Sequence, residues 1–199
     1  MILGITGLSG SGKHTAANFL AQGNKLILDT DTIAHRLYRP YTHVWKAITD
    51  RFGESILNQD DSINRQKLAG IVFDEKNSEA SAEKLLELNK IIHPDVKRHL
   101  KNEIHRHFRR GSAIVIVSAM WEEIDLFRLC DKVLLIQTDS ALREKRVKNR
   151  DQILSPLFRA RINAQKEPPH PDFVVKNNGE LKEFYGALKE LKLFSLNPA

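Results

Sequence analysis

Five short stretches of the chain, Ile2–Thr6, Lys25–Asp29, Ala113–Ser118, Lys132–Gln137 and Phe173–Lys176, are apolar at nearly every position rather than at every second one. Their length and their content of Ile, Val and Leu predict buried β-strands. A strand that is apolar on both faces needs cover on both. Segments of helical period stand between the five, so the pattern predicts an α/β fold: a five-stranded parallel sheet between two helical layers.

The segments between the strands are unequal. His14 to Gln22 makes a short helix after the first strand, and Leu181, Phe184, Tyr185, Leu188 and Leu191 recur at helical spacing after the last. The gap between the second and third strands is too long for one crossover. It holds one helical stripe at Val44, Trp45, Ile48 and Phe52, another at Leu85, Leu88 and Ile92, and a third at Val96, Leu100, Ile104 and Phe108. An inserted helical subdomain over about residues 35–110 is expected. A second insertion, about 142–171, is rich in Arg and ends in Pro168, Pro169 and Pro171, as a mobile lid would. The core then comprises about 1–34, 111–141 and 172–199. At 199 residues this is one domain with insertions, with neither internal repeats nor low-complexity tracts.

Composition narrows the function. Hydrophobic residues make up 41% and charged residues 28% of the chain, and the mean hydropathy is −0.38, values of an ordinary water-soluble globular protein. Its longest apolar runs, such as Ala113 to Val117, fall far short of the ~20 residues of a membrane helix, so a cytoplasmic protein without a membrane partner is expected. Cys130 stands alone, which excludes an internal disulfide and a zinc finger. The net charge of +6 favours an anionic partner. The densest basic stretch is Lys97 to Arg110, where Lys97, Arg98, Lys101, Arg106, Arg109 and Arg110 face only Glu103. These residues surround an apolar stripe and no aromatic platform for bases accompanies them, so the stretch reads as the solvated face of a helix rather than a nucleic-acid surface.

Directly after the first strand comes GLSGSGK, which satisfies the phosphate-loop pattern GxxxxGK and leads into a helix. Gly7, Gly10 and Gly12 permit backbone angles that let the N–H groups of Leu8, Ser9, Gly10, Ser11, Gly12, Lys13, His14 and Thr15 turn toward bound phosphates, and the helix N-terminus adds its positive end. Lys13 supplies a point charge for the terminal phosphates. Such a loop does not by itself separate a kinase from a GTPase or ATPase. In a parallel sheet, ligands lie beyond the carboxyl ends of the strands. The second strand ends in LDTDT, which places Asp29 and Asp31 there, as a base for an attacking hydroxyl or as water-mediated metal ligands; either one could instead cap the helix that follows.

At this point the chain resembles the dephospho-CoA kinase family over nearly its whole length. GITGLSGSGKHT is similar to that family's opening loop, DTDTIAHRL to its substrate-facing aspartate segment, and NRQKLAGIVF with LNKIIHP to its inserted helices. RVKNRD resembles the entry to its lid, RINAQ the lid helix, and DFVVKNNG the last strand and the adenine-side loop. The resemblance implies transfer of a phosphoryl group from ATP to the ribose 3'-hydroxyl of dephospho-CoA, with magnesium held mainly through phosphates and water. It implies that Lys13 and the loop hold ATP, that Asp31 is the catalytic base, and that Arg146 and Arg150 reach the phosphates from the lid. It places Asn177 near the adenine and Arg65 and His93 on the acceptor side. Three positions depart from the family pattern: His14 replaces a serine whose hydroxyl would face magnesium, His35 replaces an arginine, and Ala119 within SAMWEE, Ser118 to Glu123, stands at a proline position. Another small-molecule kinase, acting on a nucleoside or nucleotide, and a nucleotide-binding homologue with weakened catalysis are the alternatives that these residues leave open.

Overall fold

The computed structural model describes residues 1–22, 25–73, 78–108, 113–122, 124–151 and 166–194. The five strands form where the apolar pattern places them: β1 Ile2–Thr6, β2 Leu26–Asp29, β3 Ile114–Val117, β4 Lys132–Gln137 and β5 Phe173–Lys176. All pair in parallel, in the order β2-β3-β1-β4-β5. Every residue of β1 and β3 is buried, whereas the edge strands β2 and β5 each bury one. The central strands are therefore the ones whose sequence shows no alternation.

The chain divides into two compact units. The first contains residues 1–29 and the described residues from 103 onward, and therefore the whole sheet. On one face, Leu3, Ile5, Val115, Val117, Leu134 and Ile136 pack with Ala16, Ala17 and Leu20 of helix α1 (Lys13–Leu20) and with Phe184 and Leu188 of the last helix. Burying each such aliphatic side chain stabilises by roughly 1.5–3 kcal/mol before conformational entropy is subtracted. That last helix, Leu181–Glu190, starts at a capping box in which Glu180 and Glu183 satisfy each other's backbone N–H groups. Gly4 points to the opposite face, where a Cβ would lie 2.9 Å from Cys130 Sγ and 3.4 Å from Leu126. Cys130 is half-buried, and burial pushes its thiol up to about 12, so it stays protonated and unreactive, as a small core residue should.

The second unit takes in the described residues of 30–102. It contains α2 (Thr30–Leu37), α3 (His43–Phe52), α4 (Arg65–Val72) and most of α5 (Ser78–Phe108). Thr42 caps α3 by accepting from Trp45 N at 3.1 Å, and Asn64 caps α4 by accepting from Gln66 N and Lys67 N. The stripes around Ile92 and Val96 belong to one helix of 31 residues that runs through Pro94. Proline forfeits one backbone hydrogen bond there; Ile92, Val96 and Leu100, all buried, hold the helix together on either side. Within the basic stretch Arg98 pairs with Asp95 and Arg106 with Glu103, as on a solvated face, while Arg109 and Arg110 lie outside the described residues. In the first unit α6 (Leu126–Leu129) and α7 (Ser140–Asp151) follow β3 and β4, and the final helix is α8. The rest of the expected lid, residues 152–165 with RINAQ, lies outside the described residues. Among the described residues no helix is long and apolar enough to cross a membrane.

Candidate nucleotide site

In the strand order β1 and β3 are neighbours, and the chain leaves β1 toward β2 on one side and β3 toward β4 on the other, so the crevice beyond their carboxyl ends is the expected ligand site of such a sheet. The glycine loop fills it. Gly10 and Gly12 have φ of 82° and 99°, left-handed values that favour glycine, and Ser11 between them donates its N–H to Leu8 O at 3.0 Å, closing the loop on itself. Their surroundings also demand glycine. A Cβ at Gly10 would lie 2.7 Å from the Arg143 carbonyl oxygen on α7, and one at Gly12 would collide with Asn177 Nδ2.

Lys13 is only 8% exposed, and its ammonium donates to Gly7 O at 2.8 Å and to Leu8 O at 3.2 Å, so it spans the mouth of the loop. Ser11 is fully buried, and its Oγ has no hydrogen-bond partner among the described residues. Its part in the site is carried by its backbone: Ser11 O accepts from Asn177 Nδ2 at 2.8 Å and from Thr138 Oγ1 at 3.1 Å. Thr138, one residue past β4, also has its Oγ1 within 3.2 Å of Asn177 O and 2.8 Å of Gln137 O, so its single hydroxyl proton is shared among these carbonyls. The ends of β1, β4 and β5 are thus tied together beneath the loop. Arg146 of α7 adds longer contacts, 3.5 Å to Gly10 O and 3.4 Å to Asn177 Oδ1. Nothing in the sequence singled out Thr138, yet the rule that drew attention to Asp29, a polar residue at the carboxyl end of a strand, applies to it equally.

At the other side of the loop, exposed His14 in the first turn of α1 meets Asp29, the last residue of β2, at 2.9 Å between Nε2 and Oδ2. Thr15 is half-buried one position on. Beyond β3, Ser118 Oγ accepts from Met120 N, and Trp121 donates from its indole to Lys166 O at 2.9 Å while meeting Phe127 edge-on. The Trp121 indole thus ties the segment after β3 to the chain that leads into β5.

The remaining expected residues fall on separate elements. Arg150 is near the end of α7, and its side chain is outside the described residues. Asp31 stands in the first turn of α2, which starts at Thr30, two residues earlier than a cap by Asp31 would require. Arg65 is the exposed first residue of α4, and His93 is half-buried on α5, where burial pushes its imidazole down to about 4 and keeps it neutral near pH 7. Asp31, Arg65 and His93 share the second unit.

The sequence profile described as dephospho-CoA kinase matches residues 1–183. The chain belongs to the dephospho-CoA kinase family. It is 33% identical over 194 residues to the dephospho-CoA kinase of Lactobacillus johnsonii, covering 95% of both chains, and 32% identical over 186 residues to that of Listeria monocytogenes, covering 91% of this chain and 90% of the relative. Among solved structures, a Thermus thermophilus protein superposes with a TM-score of 0.73 at 26% identity over 96% of this chain and 95% of its own. The dephospho-CoA kinase from Campylobacter jejuni has the same fold, with a TM-score of 0.66 at 23% identity over 96% and 94% of the two chains. Members of the family are ATP-using phosphotransferases, which accounts for a loop built to grip polyphosphate.

Proposed function

We propose that the protein transfers the γ-phosphoryl group of ATP to the ribose 3'-hydroxyl of dephospho-CoA, yielding CoA and ADP, the last step in making CoA. The observation that carries this reading is the buried Lys13 within a left-handed glycine loop at the carboxyl end of β1, in a chain of this family. The loop N–H groups and Lys13 would grip the β- and γ-phosphates, and such preorganised donors stabilise charge that develops during transfer. Asp31 would accept the proton of the 3'-hydroxyl as its oxygen bonds to phosphorus and the β–γ bridging oxygen departs with ADP. Arg146 and Arg150 would offset charge on the phosphate oxygens, and Asn177 would set the loop and the adenine side of the site. Arg65, as a cation, and His93, as a neutral hydrogen-bonding imidazole, would receive the acceptor.

Among the described residues no group of three or more His, Cys, Asp or Glu gathers to hold a metal on protein ligands alone. Magnesium, when bound, would supply positive charge to the β- and γ-phosphate oxygens. The donors that this chain offers beside the loop are the Asp29 carboxylate and the His14 imidazole. The carboxylate suits magnesium through water; the imidazole does not suit that hard, oxygen-seeking ion.

The reading is tested by incubating the protein with ATP, magnesium and a panel of acceptors that includes dephospho-CoA, adenosine, AMP and shikimate, and weighing the products by mass spectrometry. CoA as the preferred product supports it. A phosphorylated nucleoside or nucleotide in preference to CoA makes the protein a different small-molecule kinase, and ATP binding without any phosphorylated acceptor makes it a nucleotide-binding homologue.

A further inference from the structure

Arg143, Arg146 and Val147 recur on one face of α7, at i, i+3 and i+4, and that face lies on the phosphate loop. A Cβ added at Gly10 would sit 2.7 Å from Arg143 O, 3.1 Å from Arg143 Cα and 3.1 Å from a Val147 methyl carbon, so the helix backbone itself rests on the loop. Arg146 Nη1 is 3.5 Å from Gly10 O. The side chain of half-buried Arg143 makes a different contact: its Nε donates to Thr138 O at 3.1 Å. Thr138 in turn has its Oγ1 3.1 Å from Ser11 O, on the residue next to Gly10. Four residues thus form a closed circuit, from Ser11 to Thr138, from Thr138 to the Arg143 side chain, and from the Arg143 backbone to Gly10. Only the Nε–H bond in it depends on what residue 143 is. A carbonyl accepts an N–H from a neutral group as readily in kind as from a charged one, so the circuit needs the donor and not the positive charge.

We infer that Arg143 is a positioning residue of the nucleotide site: its Nε–H holds the root of α7 against Gly10 and thereby sets the reach of Arg146 to the nucleotide phosphates. This rests on the reading of the loop as an ATP site and names a residue that acts on it from behind. Arg146 would meet phosphate through its charge; Arg143 acts through Arg146. Displacing a binding group by about 1 Å forfeits much of its effect, so a loosened root weakens the grip on phosphate while the loop stays intact.

The experiment is calorimetric titration of the full chain with a non-hydrolysable ATP analogue and magnesium, beside a thermal melt of each variant. Arg143→Gln places an amide nitrogen the same number of bonds from Cα as Nε, keeping the donor and discarding the charge. Arg143→Met and Arg143→Ala discard both. Affinity is expected to fall about tenfold in the Met and Ala variants and to stay within about twofold in Arg143→Gln. In an Arg146→Ala background the Met and Ala substitutions are expected to cost less than about twofold more, because the group they misplace is gone. Arg143→Gln as weak as the Met variant overturns the inference, since charge is then what matters. A loss of equal size with and without Arg146 overturns it, as does a lowered Tm with unchanged affinity, which is what a merely structural residue shows. Failure of the unmodified protein to bind the analogue overturns it together with the ATP site beneath it.

Discussion

Asn177 Nδ2 donates to Ser11 O over 2.8 Å, joining residues 166 positions apart and fixing the phosphate loop to the end of β5. The same amide is what a Cβ at Gly12 would strike, so one buried side chain both holds the loop and moulds it. Removing it in Asn177→Ala costs the loop one buried hydrogen bond, about 1–2 kcal/mol, and frees its backbone. The expected result is a rise in KM for ATP of roughly tenfold with a smaller fall in kcat, since ATP must then order the loop that Asn177 had ordered. Steady-state kinetics beside a thermal melt provide the check. A lower Tm with unchanged KM would reduce Asn177 to a structural residue.

Lys13→Ala is expected to abolish turnover, by on the order of 10³-fold or more, while the fold persists. Its ammonium donates to Gly7 O and Leu8 O of the loop, and none of these three residues belongs to the hydrophobic core under the sheet. Product formation and circular dichroism on the same sample test this, and near-normal turnover would contradict the phosphate loop's role.

Asp31→Asn keeps shape and removes the capacity to take a proton. A fall in kcat on the order of 10² to 10⁴ with nearly unchanged ATP affinity is expected of a general base. Loss of stability alone, with kcat preserved, would assign Asp31 to the first turn of α2, where its charge favours the helix dipole.

The His93 imidazole titrates at about 4 in the folded protein, because burial disfavours its charged form, against about 6.5 in the unfolded chain. Between those values the unfolded chain binds the extra proton, so this contribution to stability is complete above pH 6.5 and is lost as pH falls toward 4. His93→Gln, neutral throughout, should flatten that part of the profile. Denaturant unfolding of both proteins at pH 7, 5.5 and 4.5 measures it; parallel profiles would mean that the burial of His93 does not govern its titration.

The sheet was legible because β1, β3 and β4 are covered on both faces, so Ile5, Val115 and Leu134 leave no polar interruption, and because GLSGSGK follows β1 directly. The glycines were legible as conformational devices, but the neighbours that also require them, Arg143 and Asn177, belong to elements more than 120 positions away. Long-range pairing of that kind leaves no periodic signal, and Thr138 and Trp121 were overlooked for the same reason. Helix α5 reads as separate stripes because Pro94 interrupts local propensity, which tertiary burial of Val96 and Leu100 overrides. His14 stood out as a departure from its family's pattern, whereas its meeting with Asp29 depended on where the end of β2 lies in the sheet.

The central claim, that the 3'-hydroxyl of dephospho-CoA receives the γ-phosphoryl group, is tested most directly by ³¹P NMR of a reaction containing the protein, ATP, dephospho-CoA and divalent metal. The account predicts one new phosphomonoester resonance, coupled to the ribose 3' proton, growing in step with ADP. ADP without that resonance, or a monoester on another oxygen, would contradict it.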